Sequence, residues 1–254
     1  MPVVIDLRGK RAVVSGASRG IGAAAVRLLA GAGADVVVGF RSRAADAEAV
    51  ATDARALGVR AVTCGADLDT RDGCEALVRA AGDAFGGVDV VVINHGVWPA
   101  EEVAVAAMDD ARWGATMRAD LDSVFWLSRA AARALGAGGR LVLVSSTAGQ
   151  RGEAYHADYA AAKGAMISFV KSLAVELASR DVTVNCVAPG WVDTEMTGPA
   201  FRDGGRARIA ATIPIGRVAT AEDVAGPILF LASPLARHVT GEVLNVNGGS
   251  VLCG

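Results

Sequence analysis

Short apolar runs alternate with longer segments of helical periodicity along the whole chain. Runs with the length and composition of β-strands lie at 11–15, 35–40, 60–67, 88–96, 139–146, 182–190 and 242–249. Segments with helical periodicity lie at 23–34, 44–57, 71–85, 109–135, 157–179 and 221–232. The run at 88–96 is nearly all apolar, which is typical of a parallel strand covered on both faces. The alternation predicts an α/β fold with one doubly wound parallel sheet of about seven strands and helices on both faces.

The organisation of the chain points to one binding crevice. Neither a low-complexity linker nor an internal repeat divides the sequence, so residues 1–254 are predicted to form one domain. Ligands of doubly wound sheets bind at the carboxyl ends of the strands. The residues with distinctive chemistry all lie at or just after the carboxyl ends of predicted strands; they are 16–22, 94–96, Ser146 and 189–194. We therefore expect them to share one site.

Composition and charge exclude several classes of protein. The formal charge of −2 and a pI near 5.9 give no electrostatic footprint for nucleic acid or an anionic membrane. No apolar run reaches the roughly 18 residues of a membrane span, and the N-terminus lacks the features of a signal peptide. The four cysteines and three histidines show no metal-ligand spacing, so we expect no metal and a reducing, cytoplasmic location.

A proton-transfer site is predicted on the helix at 157–179. Tyr159 and Lys163 are four residues apart, so they project from the same face of a helix. An ammonium group beside a phenol favours loss of the phenolic proton. Ser146 lies thirteen residues before Tyr159 and offers a hydroxyl to hold a substrate oxygen.

A glycine-rich turn after the first strand predicts a phosphate-binding site. Gly16, Gly20 and Gly22 follow the strand at 11–15 in a Gly-x3-Gly-x-Gly pattern and precede a helix. Such a turn lets backbone N–H groups approach a pyrophosphate at the helix N-terminus.

Taken together, these motifs resemble those of the short-chain dehydrogenase/reductase family, and most closely the 3-oxoacyl-[acyl-carrier-protein] reductases. The resemblance rests on SGASRGIG at 15–22, Asp67, INHG at 93–96, Ser146, YAAAK at 159–163, PGWVDT at 189–194 and VNGG at 246–249. It covers nearly the whole chain and implies a single Rossmann-type domain.

The resemblance implies a division of labour between coenzyme and protein. A nicotinamide carries the hydride, and the protein positions it and handles the proton. Tyr159 would donate a proton to the developing alkoxide, and Ser146 would hold the carbonyl oxygen. Lys163 would lower the pKa of Tyr159 and bind the nicotinamide ribose.

The family pattern also implies a set of coenzyme contacts. Asp67 would meet the adenine, Asn94 the adenosine ribose, and Val192 and Thr194 the carboxamide. The full set is Gly16, Ser18, Arg19, Gly20, Ile21, Gly22, Arg41, Asp67, Leu68, Asn94, Gly96, Tyr159, Lys163, Pro189, Gly190, Val192 and Thr194.

The charge pattern after the second strand favours NADP(H) over NAD(H). Members of the family that prefer NAD place an acid there, to accept a hydrogen bond from the ribose 2′-hydroxyl. In this chain Phe40 ends the strand, Arg41 follows it, and Arg43 and Arg19 lie close by. Guanidinium groups pair with a 2′-phosphate, which an acid would repel.

Three residues depart from the family pattern. Ser15 replaces the usual threonine, His95 replaces an alanine, and Asp120 replaces the catalytic asparagine. An ionised aspartate cannot donate hydrogen bonds and adds negative charge near Lys163. Our hypothesis is that Asp120 acts in catalysis and that activity survives at a reduced or pH-shifted level.

The sequence leaves the substrate and the assembly open. A 3-oxoacyl-thioester reductase is favoured; the alternatives are an oxidative alcohol, sugar or steroid dehydrogenase and a catalytically weak, coenzyme-binding scaffold. Acyl carrier protein is a candidate partner, with Arg180 as a docking position, and a homotetramer or dimer is expected through faces at 124–135 and 165–178. The segment 195–212 resembles a flexible substrate lid, with Trp191 in the pocket wall and Trp98, Trp113 and Trp126 as packing residues.

Overall fold

Within residues 5–252, seven strands lie between helical segments along the chain, and the alternation of strand and helix agrees with the sequence prediction. The computed structural model describes residues 5–252, so Cys253 lies outside the described residues. The strands are β1 Arg11–Val14, β2 Asp35–Phe40, β3 Ala61–Gly65, β4 Val90–Ile93, β5 Arg140–Val144, β6 Thr183–Pro189 and β7 Val243–Val246. The helices are α1 Gly20–Gly31, α2 Ala44–Ala56, α3 Arg71–Phe85, α4 Asp110–Met117, α5 Ser123–Ala134, α6 Thr147–Arg151, α7 Ala157–Ala178, α8 Gly205–Ala211 and α9 Ala221–Ala232.

All seven strands form one parallel sheet in the order β3-β2-β1-β4-β5-β6-β7. The strand order reverses between β1 and β4, because the chain runs outward from β1 to β3 and then returns to the other side of β1. A crevice opens at the carboxyl ends of the strands at such a reversal. The predicted α/β, doubly wound fold of the Rossmann type is confirmed.

The core consists of two apolar layers, one on each face of the sheet. Successive strand side chains point to opposite faces. Val36 and Val38 therefore join the layer formed with α1, α2 and α9, whereas Val37 joins the layer formed with α3, α5 and α7. Both layers are rich in alanine and valine, whose small side chains let the helices lie close to the sheet.

The helix predicted over 109–135 is not continuous. A π-helical turn, Arg118–Asp122, separates α4 from α5, and this turn contains the buried Asp120. The sequence prediction did not mark this interruption, because a π-helical turn is a local change of hydrogen bonding within a segment that remains helical.

Two other elements differ from the sequence-based expectation. The short helix α6 was not predicted, since five residues carry too little periodicity to indicate a helix. The polar segment after β6 contains a 3₁₀ turn at Gly198–Phe201 and helix α8, where the sequence indicated only a loose segment. Within residues 5–252, no helix combines the length and apolar character that a membrane span requires.

Helix α1 packs against the turn that precedes it through Gly22. A Cβ atom at Gly22 would lie 2.4 Å from the carbonyl oxygen of Gly16 and 2.6 Å from Nδ2 of Asn94. Both neighbours are held by the ends of buried strands, so neither can move away freely. The absence of a side chain at Gly22 thus lets the helix start directly beneath the glycine-rich turn.

Replacing Gly22 by alanine is expected to destabilise the protein by about 1–3 kcal/mol, because the added methyl group overpacks this contact. A loss of that size lowers the melting temperature by several degrees. Gly31→Ala, in the last position of the same helix, is the matched control, since a Cβ atom there meets nothing within 4 Å. Thermal unfolding of both variants checks this prediction, and equal melting temperatures would contradict it.

Candidate active site

A cleft with a cavity volume of about 410 Å³ runs along the carboxyl ends of the strands. It is lined by most of the site residues predicted from sequence: Gly16, Ser18, Arg19, Gly20, Ile21, Arg41, Leu68, Asn94, Gly96, Ser146, Tyr159, Lys163, Pro189, Gly190, Val192 and Thr194. Gly22, Asp67 and Asp120 are not among the lining residues. The topology therefore brings the segments that follow six strands, β1 to β6, to one elongated site.

The N-terminus of α1 faces this cleft without a capping side chain. Arg19 occupies the capping position in an extended conformation, and no acidic residue lies in the first turn. The preceding turn needs left-handed backbone at Gly16 (φ +59°) and Gly20 (φ +55°), which favours glycine. Unpaired N–H groups and the helix dipole make this end of the cleft suited to a phosphate-bearing ligand.

One end of the cleft carries three arginines that are paired with acids. Arg41 donates to Asp69 at 3.0 Å, and Glu195 forms ion pairs with Arg43, at 2.9 Å, and with Arg19. Sequence reasoning did not identify Asp69 or Glu195. The partnership of Glu195 depends on strand order, because the loop after β6 meets the loops after β1 and β2 only in the folded sheet.

Lys163 is the most deeply buried charge in the cleft. Only 3% of the surface of the residue is exposed, and Nζ donates to the carbonyl oxygen of Val144 at 3.1 Å. Nζ also lies 5.7 Å from the centre of the Tyr159 ring, as the four-residue spacing on α7 requires. The backbone of Lys163 is fixed as well, because Ser145 Oγ donates to its carbonyl oxygen at 2.7 Å.

Ser146 caps the short helix α6. Its hydroxyl accepts a hydrogen bond from the backbone N–H of Ala148 at 3.1 Å, which leaves the hydroxyl proton free to be donated. Gly149 lets α6 lie on α7, since a Cβ atom there would be 2.5 Å from the carbonyl carbon of Lys163. This contact sets the position of Ser146 relative to Tyr159, so the Ser146 hydroxyl lies close enough to the phenol to influence its pKa.

The phenol of Tyr159 has a raised pKa. Burial is the main cause and the Asp120 carboxylate adds to it, while the nearby Ser146 hydroxyl acts in the opposite direction. The net direction is opposite to the lowering that the sequence led us to expect from Lys163. The physical reason is that burial disfavours the phenolate more strongly than its neighbours stabilise it.

Asp120 is fully buried in the π-helical turn. Its Oδ1 accepts a hydrogen bond from the N–H of Val97 at 2.7 Å, and its Oδ2 has no partner among the described residues. Burial raises the pKa of the carboxyl group to about 6, although Lys163 and the Val97 N–H act against the rise. A Cβ atom at Gly96 would lie 3.0 Å from Oδ1 of Asp120 and 3.1 Å from Nζ of Lys163. The carboxylate and the ammonium therefore flank the same glycine.

His95 connects the glycine-rich turn to the π-helical turn. Ser123 Oγ donates to the carbonyl of Ala119 at 2.7 Å, so it accepts from Nε2 of His95 at 2.8 Å. Nδ1 then accepts from Ser15 Oγ, also at 2.8 Å. Burial lowers the pKa of His95 to about 3, with a smaller effect of Lys163. The ring is therefore neutral and positions its neighbours rather than carrying a proton.

Asn94 and Asp67 differ in how they relate to the cleft. The Asn94 amide donates to the carbonyl oxygens of Ser15, at 3.2 Å, and Gly16, at 3.0 Å, and so ties the end of β4 to the glycine-rich turn. Asp67 is exposed, and its Oδ1 accepts from the N–H of Asp69 at 3.2 Å. The neighbouring Asp69 lines the cleft instead.

An aromatic cluster stands above the start of α7. The Trp98 ring stacks on His156 with 4.8 Å between ring centres and meets Trp191 edge-on with 5.9 Å between centres. The ring centres of Trp191 and Phe201 are also 5.9 Å apart. Trp98 thus packs against other rings, as expected from the sequence. Trp191 links the loop after β6 to the 3₁₀ turn of the segment predicted to be a lid.

The fold and the cleft define a class of protein: an α/β protein with a glycine-rich turn suited to anions and a half-buried tyrosine beside a buried lysine. A family profile described as enoyl-(acyl carrier protein) reductase matches residues 16–250. The 3-oxoacyl-[acyl-carrier-protein] reductases FabG of Vibrio cholerae and Escherichia coli are 41% and 40% identical over 247 and 249 residues, 96% of this chain and 98% of each relative.

Solved structures give the same result. A short-chain dehydrogenase from Burkholderia cenocepacia, solved in complex with NADP, superposes with a TM-score of 0.90 at 37% identity, over 96% of this chain and 98% of that chain. The chain belongs to the short-chain dehydrogenase/reductase family of oxidoreductases. The resemblance drawn from the sequence motifs is confirmed.

Replacing Asp120 by asparagine is expected to stabilise the protein more at high pH than at low pH. The pKa of Asp120 is about 6 in the folded chain, compared with 3.8 for an unperturbed aspartate. Its contribution to stability therefore falls as pH rises between these two values, because only the folded chain holds the proton there. From about pH 4.5 to about pH 8, the stability of Asp120→Asn relative to the original protein should rise by on the order of 2 kcal/mol.

Urea unfolding at the two pH values measures this difference. Asp122→Asn is the matched control, because it removes an exposed carboxylate from the same turn. A stability difference between Asp120→Asn and the original protein that does not change with pH would disprove the titration of Asp120.

Proposed function

We propose that this protein is an NADP(H)-dependent oxidoreductase that reduces ketones, with a 3-oxoacyl thioester as the favoured substrate. The observation that carries the proposal is the convergence of Ser146, Tyr159 and the buried Lys163 in one cleft that begins at an uncapped helix N-terminus. Relatives at about 40% identity that are named 3-oxoacyl-[acyl-carrier-protein] reductases support the substrate class.

The residues of the cleft fit a phosphorylated dinucleotide. The glycine-rich turn at Gly16–Gly22 and the N-terminus of α1 would hold the pyrophosphate, and Arg19, Arg41 and Arg43 would hold a 2′-phosphate. The NADP complex of the Burkholderia relative supports this choice of coenzyme. When bound, the nicotinamide supplies the hydride.

Residues of the protein then bind the carbonyl oxygen of the substrate and transfer a proton to it. Ser146 donates its free hydroxyl proton to the carbonyl oxygen of the substrate, which stabilises the charge that develops there. Tyr159 donates its phenolic proton to the same oxygen as the alkoxide forms. Lys163 keeps a positive charge beneath the ring and favours the phenolate left after proton transfer.

The reductive direction is favoured over the oxidative alternative. A raised pKa keeps Tyr159 protonated near neutral pH, and the protonated phenol is the form that reduction consumes. Oxidation of an alcohol would need the phenolate at the start of the reaction. The scaffold alternative is not favoured, because Ser146, Tyr159 and Lys163 all line the cleft.

The remaining partner proposals concern the surface. The guanidinium of Arg180 donates to the carbonyl oxygens of Ala132, at 2.6 Å, and Leu135, so it caps the end of α5. The residue is exposed, and acyl carrier docking at Arg180 stays a proposal. Phe125 on α5 and Val175 on α7 are 44% and 80% exposed. Their exposure supports the proposal that the chain associates with further copies of itself through these helices.

Replacing Tyr159 by phenylalanine is expected to lower kcat by about 10²–10⁴-fold with a simple β-ketoester, because the proton donor is lost. NADPH binding should survive. The assay follows NADPH consumption, and binding is measured by NADPH fluorescence. The only other tyrosine, Tyr155, is exposed, so Tyr155→Phe should retain activity. Undiminished turnover by Tyr159→Phe would refute the assignment, whereas binding without turnover across a ketone panel by the original protein would favour the scaffold.

Replacing Asp120 by asparagine is expected to change the pH dependence of kcat. Above about pH 6 the carboxylate is ionised, and its charge raises the pKa of Tyr159 and makes the phenol a weaker donor. The original protein should therefore lose activity as pH rises through this value, whereas Asp120→Asn should not. We expect the variant to be several-fold faster near pH 8 and equal below about pH 5.

Steady-state rates between about pH 5 and about pH 9 test this expectation, with Asp122→Asn as the control that keeps the original profile. Superimposable profiles for the original protein and Asp120→Asn would remove Asp120 from the proton chemistry.

A further inference from the structure

A carboxylate bridges two arginines across the mouth of the cleft. The same oxygen, Oε2 of Glu195, pairs with Nη2 of Arg43 at 2.9 Å and with Nη1 of Arg19. Arg19 belongs to the glycine-rich turn after β1, Arg43 follows β2, and Glu195 follows β6. All three side chains line the cleft and are about half exposed, at 44%, 43% and 56%. The bridge therefore joins the two sides of the strand-order reversal.

Two guanidinium groups that converge on one oxygen form an anion site. A phosphate monoester offers the same kind of acceptor, with more oxygen atoms and more negative charge than a carboxylate. The Glu195 carboxylate thus stands where a phosphate on the adenosine ribose would pair with Arg19 and Arg43. Both anions cannot hold the same guanidinium donors at once.

We propose that Glu195 is a specificity-determining residue for the coenzyme, whose carboxylate competes with the 2′-phosphate for Arg19 and Arg43. It lowers the affinity for NADP(H) and leaves that for NAD(H), which has no 2′-phosphate, nearly unchanged. The preference for NADP(H) is therefore smaller than three arginines alone would give. The inference rests on the proposed NADP(H) preference.

Contacts near Glu195 allow it to leave the arginines without disturbing its own segment. Arg206 pairs with Asp193 at 2.6 Å, and Thr197 Oγ1 donates to the carbonyl oxygen of Val192 at 2.5 Å. These contacts fix the chain on both sides of Glu195, and neither uses its carboxylate. Displacement by a phosphate thus breaks only the two ion pairs.

The size of the effect follows from the exposure of the groups. Ion pairs between half-exposed side chains are weak, since water and salt screen them. Their loss therefore changes an affinity by roughly threefold to tenfold. Asp69 pairs with Arg41 alone, and Asp46 pairs with Nη1 of Arg43 at 3.2 Å, so neither acid occupies the Nη2 donor of Arg43 that pairs with Glu195.

Glu195→Gln tests the inference through binding rather than turnover. Isothermal titration gives the affinities for NADP⁺ and NAD⁺ of the original protein, Glu195→Gln and Glu222→Gln. The last is the matched control, because it removes an exposed carboxylate from the start of α9, away from the cleft, with the same change in net charge. We expect Glu195→Gln to bind NADP⁺ roughly threefold to tenfold more tightly, with NAD⁺ unchanged within about twofold. Glu222→Gln should behave as the original protein.

The outcomes separate this inference from the proposed function. An NADP⁺ to NAD⁺ affinity ratio that is equal in the original protein and Glu195→Gln would overturn the competition by Glu195, even where NADP⁺ is preferred. A ratio near one in the original protein would contradict the NADP(H) proposal, and the inference would stand only if Glu195→Gln then gained the preference. Adding Arg43→Gln to Glu195→Gln should cancel the gain in NADP⁺ affinity. A gain that persists in the double variant would contradict the proposal that Glu195 competes with the phosphate for Arg43.

Discussion

The buried ammonium group of Lys163 is the constraint on which the rest of the site depends. With 3% of the residue exposed, it requires acceptors from the protein itself, since an uncompensated buried charge is strongly unfavourable. The carbonyl of Val144 supplies one at 3.1 Å, which fixes α7 against the end of β5. Asp120 supplies negative charge nearby, since a Cβ atom at Gly96 would touch both its Oδ1 and the Nζ of Lys163. The positions of Tyr159 and Ser146 follow, because one shares a helix with Lys163 and the other is held by the packing of α6 on α7.

Two departures from the family pattern, Ser15 and His95, belong to one hydrogen-bonded network that ends next to the third, Asp120. His95 accepts from Ser15 beneath the glycine-rich turn and donates to Ser123, which in turn donates to the carbonyl of Ala119. That carbonyl lies in the π-helical turn next to Asp120. A neutral imidazole therefore holds the turn that carries the altered catalytic position. The surroundings of Asp120 favour the protonated carboxyl group up to about pH 6. In that form the side chain is uncharged, like the asparagine that it replaces.

The sequence was sufficient for features that depend on local pattern. Periodicity predicted all seven strands and most helices, because a run apolar on both faces has few alternatives to a covered parallel strand. It missed the π-helical turn around Asp120 and the short helix α6, since both arise from contacts with distant elements and leave little trace in a local pattern. The direction of the Tyr159 pKa shift was wrong for a related reason: the spacing to Lys163 is visible in the sequence, whereas the burial that dominates the shift is not. Glu195 was missed because the strand order, not the spacing, brings it to Arg19 and Arg43.

The two ends of the cleft handle charge under different physical conditions. Around Lys163 the groups are buried, so each charge alters the protonation of its neighbours, and a change at Asp120 is felt at Tyr159. Around Arg19, Arg41 and Arg43 the groups are half exposed, so water screens their ion pairs and one anion can replace another at little cost. Coenzyme preference can therefore change through substitutions such as one at Glu195 without altering the proton chemistry. The proton chemistry changes only through substitutions among the buried groups, because only there does one charge alter the protonation of the next.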